Sequence, residues 1–178
     1  MAHRGADLIS LAPLSSADRP AIEALLDEAF GADRHGRTAY RLRAGTVEIP
    51  ELSFAAFRGD ALLGTIQCWP VALTDGDGVE HPLVLVGPVA VRPGDQRDGI
   101  GRMLMTAMLN AAHAHHHDAL TLIGDPEYYG RFFGFTADHT GGWELPGPFE
   151  RRRLLTRLTH GRTVPSDGVL GPRVVEEA

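Results

Sequence analysis

One stretch restricts the fold more than any other. Leu83-Val84-Leu85-Val86-Gly87-Pro88-Val89-Ala90-Val91 is apolar or small throughout, with no polar residue at alternate positions. A strand with one wet face alternates, whereas a strand covered on both faces does not. A polar, glycine-rich loop follows from Arg92 to Gly99. From Arg102 to His117 the spacing predicts a helix: Leu104, Ala107, Met108, Ala111 and His115 share one face, and Arg102, Thr106, Asn110, His113 and His117 the other. Ala119-Leu120-Thr121-Leu122-Ile123 is the next buried strand. Strand, loop, helix, strand is the order of two parallel strands joined by a right-handed crossover.

The preceding segments make the sheet mixed. Leu8 to Leu11 reads as a short strand stopped by Pro13. Ser15, Ser16, Asp18 and Pro20 supply a helix start, Ala21, Ile22, Leu25, Leu26, Ala29 and Phe30 its apolar stripe, and Gly31 its end. Asp33 to Gly45 reads as a weaker helix interrupted by Gly36. Leu52 to Phe57 and Ala61 to Trp69, joined at Arg58-Gly59-Asp60, predict an antiparallel hairpin, and residues 74–78 a second exposed turn. Later strands are expected over Trp143 to Leu145 and Arg153 to Leu158, and an exposed tail from Thr163 to Ala178. With no internal repeat or linker, the expectation is one α/β domain over residues 1–178, with about 160–178 as a C-terminal tail.

Composition narrows the function. With 43% hydrophobic and 22% charged residues, a chain of 178 residues can build an ordinary soluble core. A net charge of -6 argues against a general nucleic-acid or anionic-membrane surface. Cys68 is the single cysteine, so an intrachain disulfide is impossible. Neither a signal-peptide pattern nor a run of about 20 apolar residues is present, and a reducing, cytoplasmic compartment is the expectation.

Gln96-Arg97-Asp98-Gly99-Ile100-Gly101 stands where the buried strand hands over to the helix. The first N–H groups of a helix lack partners within it, and the helix dipole adds positive potential there, so this end suits a diphosphate. Gly99 and Gly101 remove side chains that would hold an anion away from those amides. The plainer alternative is a glycine turn capping a helix. No Gly-Lys-Ser/Thr follows, and G-x-G-x-x-G is absent, so neither the P-loop nor the dinucleotide fingerprint applies.

Val89-Ala90-Val91-Arg92-Pro93 followed by Gln96-Arg97-Asp98-Gly99-Ile100-Gly101 resembles the coenzyme A site of the GNAT N-acetyltransferase superfamily, whose signature is Q/R-x-x-G-x-G/A after an apolar strand. Asp125-Pro126-Glu127-Tyr128-Tyr129-Gly130-Arg131-Phe132-Phe133-Gly134-Phe135 resembles the family's next element, a short helix ending in Gly-Phe. The resemblance is close from Leu83 to Phe135, looser before it and weak after it. It implies a GNAT-like fold with splayed central parallel strands, and acetyl-CoA as co-substrate. It implies that the backbone from Gln96 and Arg97 through Asp98, Gly99, Ile100 and Gly101 to Arg102 holds the pyrophosphate, and that Val89, Ala90 and Val91 pair with the pantetheine arm like an added strand. Gly87-Pro88 suits that arrangement, since proline donates no ladder hydrogen bond. The implied reaction is direct attack by a neutral amine on the thioester, with a strand amide as oxyanion donor and no covalent enzyme intermediate.

The sequence departs from the family at two places. Asp98 stands where a small or basic residue is common, with Arg97 and Arg102 beside it to offset the charge. The tyrosine that commonly protonates the leaving thiolate falls at Gly130, so Tyr129, Tyr128 or water takes that role. No carboxylate or histidine lies between Leu83 and Val91; Glu48, Glu51, Glu80, His81 and Asp125 are base candidates by position, beside ordered water. His113 and His117, one helical turn apart, read as a polar face near a helix end, and no metal is expected. Arg151-Arg152-Arg153 reads as a solvated face or a contact for an acidic partner.

The acceptor implied is a small-molecule or peptide amine, with its pocket in the loops around Ala32 to Pro50 and Glu144 to Arg151, and a homodimer is common in such families. The competing readings are a non-catalytic acyl-CoA-binding or regulatory domain and, behind it, a nucleotide-binding α/β module.

Overall fold

The structure, a computed structural model, describes residues 8–174; the side chains of Arg97 and Asp98 lie outside the described residues. In chain order the elements are β1 (Ile9–Pro13), α1 (Arg19–Phe30), α2 (Thr38–Arg41), β2 (Phe54–Arg58), β3 (Ala61–Thr74), β4 (Glu80–Val91), α3 (Ile100–Ala114), β5 (Ala119–Ile123), α4 (Pro126–Phe133), β6 (Gly142–Glu144), β7 (Leu154–Leu158) and β8 (Asp167–Pro172). The strands form a mixed sheet in the order β1-β2-β3-β4-β5-β7, with β8 beside β3 and β6 beside β8. β1, β2 and β3 pair antiparallel, and β4 pairs with β5 in parallel, as the strand–loop–helix–strand order requires. That parallel ladder has only two pairs, Val84↔Leu120 and Leu85↔Thr121, whereas β5 matches β7 over its whole length from Ala119↔Leu158 to Ile123↔Leu154.

The chain divides into two compact units. One gathers the residues up to Arg34 with Ile49–Cys68 and Gly87–His115; the other gathers His35–Glu48, Trp69–Val86 and the chain from His116 onward. In the first, the stripe Ile22, Leu25 and Leu26 of α1 packs with Leu14, Ala55 and Ala90. α1 begins with Pro20 in its first turn and ends at Gly31, whose φ of 92° is easy only for glycine. In the second unit, Trp69, Val71, Leu73, Leu83, Leu85, Trp143, Leu154 and Leu170 form the core, and the Trp143 indole N–H donates to the Pro165 carbonyl at 2.9 Å.

Four segments differ from the sequence expectation. Asp33 to Gly45 holds a 3-10 turn at Arg34–Gly36 and the single-turn α2 rather than one helix. Arg34 turns back and buries its guanidinium against Glu23 and Asp27 of α1, which continuing the helix would not allow. β3 runs past Trp69 to Thr74, because its residues Val71 to Thr74 find a partner in β8. That partner lies in the expected tail: Asp167–Pro172 is a strand, paired antiparallel with β3 and parallel with β6. The helix expected to reach His117 ends at Ala114, and His116 has a φ of 60°. Its buried stripe is Ile100, Leu104, Met105, Met108 and Ala112, leaving His115 exposed. Among the described residues no helix is long and apolar enough to cross a membrane.

Candidate functional site

After Val91 the chain makes a 3-10 turn over Pro93–Asp98, passes Gly99 in the left-handed conformation (φ 73°, ψ 17°) and enters α3 at Ile100. Met103 N–H donates to the Gly99 carbonyl at 3.0 Å, which starts the helical ladder. The amides of Ile100 and Gly101 precede that first bond, at the end where a helix leaves its N–H groups outside the helical ladder. Gly99 at the N-cap has no side chain with which to cap them, and no acidic residue lies in the first turn. A Cβ added at Gly99 would meet nothing within 4 Å, and one at Gly101 only Val91 Cγ2 at 3.9 Å. Among the described residues the space over both glycines is therefore open, which is what a diphosphate cradle needs.

The ends of this loop are fixed by residues that sequence reasoning overlooked. At the helix end Ile100 is fully buried. It approaches β3 closely because Gly64 has no side chain: a Cβ there would lie 2.8 Å from the Ala90 carbonyl oxygen, 3.0 Å from Ile100 Cγ2 and 3.2 Å from Leu104 Cδ1. An isolated glycine inside a strand pattern signals such close approach, so this position was legible. At the strand end Asp95 is 6% exposed although Gln96 beside it is exposed. Arg58 Nη1 donates to one of its oxygens at 2.9 Å, and Arg92 Nε pairs with the other at 3.0 Å. The Arg58 hydrogen bond, then the charges of Arg92 and Arg58, hold the Asp95 carboxyl below the usual range against the opposing effect of burial.

Of the residues proposed to pair with pantetheine, Ala90 is buried and Val89 and Val91 are half-buried at the end of β4. The Gly87–Pro88 peptide before them is cis. Arg92 N–H donates to Leu63 O at 2.7 Å, and the Gly87 amide donates to the Cys68 thiol. These two contacts bracket the register, so Thr65 and Gln67 of β3 fall opposite Pro88 to Ala90. Both are buried, and Thr65 Oγ1 and Gln67 Oε1 have no hydrogen-bond partner among the described residues. Buried oxygens left unpaired are uncommon in native folds, so these mark the strip beside the proposed pantetheine strand. Cys68, alternating with them along β3, is fully buried, and burial pushes its thiol well above the ordinary range.

In the second unit Asp125 caps α4 by accepting the Glu127 amide at 3.0 Å, and Gly134, at φ 74°, ends it. The turn is a regular i to i−4 one at its close, Gly134 N–H reaching Gly130 O at 3.2 Å. Tyr129 is half-buried, and its ring fills the place a Cβ on Gly124 would take, 2.6 Å from Cε2. It lies edge-on to Tyr128 at 4.9 Å and to Phe135 at 6.4 Å between ring centres. Burial, with smaller help from Tyr128 and Asp125 and opposed by Arg153, pushes the Tyr129 phenol up to about 12. It is therefore a neutral hydrogen-bond donor at pH 7. Tyr128 is half-buried, with its ring against Phe132 and Phe133.

The two loops expected to shape the acceptor pocket are tied together within this unit. Thr38 Oγ1 donates to Pro148 O, and Arg41 Nη1 to Pro146 O at 3.0 Å. Gly147 permits the approach, since a Cβ there would fall 2.6 Å from Thr38 Oγ1. Nearby, the Arg43 guanidinium lies 3.6 Å from the centre of the Tyr40 ring and 4.3 Å from that of Trp69. Among the positional base candidates, Asp125 is a helix cap, and His81 pairs with Asp75 at 2.9 Å across the β3–β4 turn. In the arginine triplet, Arg151 bonds the Thr140 and Trp143 carbonyls, and Arg152 forms an exposed pair with Glu127 at 2.8 Å. His117 lies beyond the end of α3, so the one-turn spacing with His113 is lost.

A family model described as an acetyltransferase (GNAT) domain matches residues 10–137. No curated protein matches the chain. Among solved structures, a GNAT family N-acetyltransferase (YhbS) from Escherichia coli in complex with CoA superposes with a TM-score of 0.68 at 23% identity, over 93% of this chain and 89% of that one. A GNAT family acetyltransferase from Brucella melitensis in complex with acetyl-CoA gives a TM-score of 0.64 at 23% identity, over 93% and 96%. A GCN5-related N-acetyltransferase from Kribbella flavida gives 0.56 at 18% identity, over 79% of this chain and 35% of that one.

Proposed function

The chain belongs to the GNAT acetyltransferase family, and from that premise we propose that it transfers an acetyl group from acetyl-CoA to a primary amine by direct attack in a ternary complex. The observation that carries the reading is the space over Gly99 and Gly101 at the start of α3, unobstructed among the described residues. The amides from Arg97 to Arg102 hold the diphosphate, with Gln96 opening the loop, and the backbone of Val89, Ala90 and Val91 aligns the pantetheine arm. Acetyl-CoA supplies the activated thioester. The acceptor's neutral amine attacks the acetyl carbon, the new C–N bond replaces the C–S bond, and the excess amine proton passes to water.

Tyr129 is the first candidate for meeting the departing sulfur, with Tyr128 the second. Handing a whole proton from a phenol near 12 to a thiolate of ordinary basicity, about 8.5, is uphill by roughly 5 kcal/mol. Tyr129 therefore acts by hydrogen bonding as charge develops on sulfur, and the proton that completes the thiol comes from the medium. With no carboxylate or histidine between Leu83 and Val91, deprotonation of the amine runs through water.

Residues 1–178 serve as one acyltransferase domain in this reading, in the cytoplasm, acting on a small-molecule or peptide amine rather than on nucleic acid or membrane. The test is a melting shift with CoA and acetyl-CoA, with ATP as control, followed by thiol release over a panel of amines. Stabilisation by CoA with acceptor-dependent thiol release supports the transferase. Stabilisation without release across the panel favours the non-catalytic acyl-CoA-binding reading, which Gly130 at the family's tyrosine position supports. Stabilisation by ATP alone overturns both.

A further inference from the structure

We infer that Asp95 is the positioning residue of the phosphate loop, a buried carboxylate that holds the amides of residues 96–101 in binding shape without touching the ligand; this rests on the coenzyme A reading above. Aspartate is seldom buried unless it is paired; here one oxygen accepts a hydrogen bond, and the other, without a hydrogen-bond partner among the described residues, stands in an ion pair. Arg58, the last residue of β2, donates to Oδ1 at 2.9 Å, and Arg92, the first residue after β4, pairs with Oδ2 at 3.0 Å. Asp95 N–H also donates to Arg92 O at 2.9 Å, and Arg92 N–H to Leu63 O at 2.7 Å. One side chain thus ties the start of the loop to the ends of β2 and β4 and, through Arg92, to β3.

The other end of the loop is fixed where Ile100 seats over Gly64. Gln96 to Gly99 therefore span two anchored points. A loop held in its bound shape loses less freedom when the ligand arrives, so the anchors raise affinity without a contact. An apolar residue at 95 could fill the space, but it could not join the two guanidiniums.

Charge and positioning predict opposite signs. Asp95 is an anion close to a site proposed for a diphosphate, so on charge alone its removal leaves CoA binding unchanged or tightens it. On positioning its removal loosens the loop and weakens binding. Asp95→Asn keeps the shape and an oxygen that accepts from Arg58, so it separates the two.

The experiment compares wild type, Asp95→Ala and Asp95→Asn by calorimetry with CoA, by acetyl transfer to an accepted amine, and by amide hydrogen exchange of residues 94–101 without ligand. Positioning predicts that Asp95→Ala raises Kd and the KM for acetyl-CoA about ten-fold or more, with kcat at saturation within about two-fold. Asp95→Asn restores Kd to within about three-fold of wild type. Exchange over 94–101 quickens in the alanine variant only. An unchanged or lower Kd in folded Asp95→Ala overturns the inference, as does exchange equal to wild type. Wild type that binds no CoA overturns the function reading instead, and the exchange comparison still decides the role of Asp95.

Discussion

Gly101 is the place where the fold and the ligand can be separated by substitution. Its Cβ position is clear except for Val91 Cγ2 at 3.9 Å, an ordinary contact. Gly99 is a poorer choice, because its φ of 73° strains any side chain by about 1–2 kcal/mol before a ligand is considered. Gly101→Ala and Gly101→Leu should both gain helix propensity, by up to about 1 kcal/mol, since alanine and leucine differ little. For a chain of this size that raises Tm by up to about 4 °C.

Coenzyme A then divides the two variants. At a CoA concentration of about 100 times the wild-type Kd, binding adds about 2.7 kcal/mol, a shift of roughly 5–11 °C. The family signature admits alanine at this position, so Gly101→Ala should keep that shift. A leucine forced into the space of the diphosphate costs about 2–3 kcal/mol, or roughly 30–150-fold in Kd. At the same CoA concentration the stabilisation then falls below about 1 kcal/mol. Scanning fluorimetry with and without CoA reads both effects, and calorimetry gives Kd. A leucine variant that shifts as far as wild type would show that the diphosphate does not occupy this space. One that melts well below wild type without ligand would show that the space is not free.

Gly64→Ala should destabilise the fold by about 1–3 kcal/mol in chemical denaturation, because the new methyl collides with the Ala90 carbonyl, Ile100 and Leu104; an unchanged midpoint refutes the notch. Thr65→Val, which removes a buried hydroxyl without a described partner, should raise Tm by about 2–4 °C for each kcal/mol gained, about 1 kcal/mol being expected. A fall in Tm would mean that the hydroxyl is bonded in solution. Tyr129→Phe should lower acetyl transfer while keeping the ring packing, and it should flatten the alkaline stability profile. The phenol stands near 12 in the fold and at about 10 unfolded, so folding retains its proton in that window and stability falls as pH rises from 10 to 12, by roughly 2–3 kcal/mol. Denaturation midpoints for wild type and variant that fall equally across that range would show that the phenol is not buried.

The strand, the turn at Gly99 and the helix after it were legible because their signal is local. A non-alternating apolar run, two glycines and a helix period need no partner elsewhere in the chain to be read. Ala119–Ile123 was legible for the same reason and matches β5 residue for residue. β8 was not, because Asp167–Pro172 is a weak strand by itself and exists through its pairing with β3 and β6. The helix expected over Asp33 to Gly45 failed where Arg34 found two carboxylates on α1. Asp95 was hidden for a related reason: nothing beside it in sequence tells that Arg58, thirty-seven residues earlier, is its partner. Gly64 did carry a local sign, an isolated glycine in a strand, but its reason lies in Ile100 and Leu104.

The inaccessible thiol of Cys68 bears directly on how acetyl transfer can be followed. Reagents that report sulfhydryls react with thiolate, and the chain's single cysteine is both sealed from solvent and kept protonated. Colour released during turnover therefore comes from coenzyme A, with the folded catalyst contributing almost none. The same reagent added under denaturing conditions counts opened molecules one by one, so a single chemistry monitors activity in the native protein and loss of structure in the unfolding one.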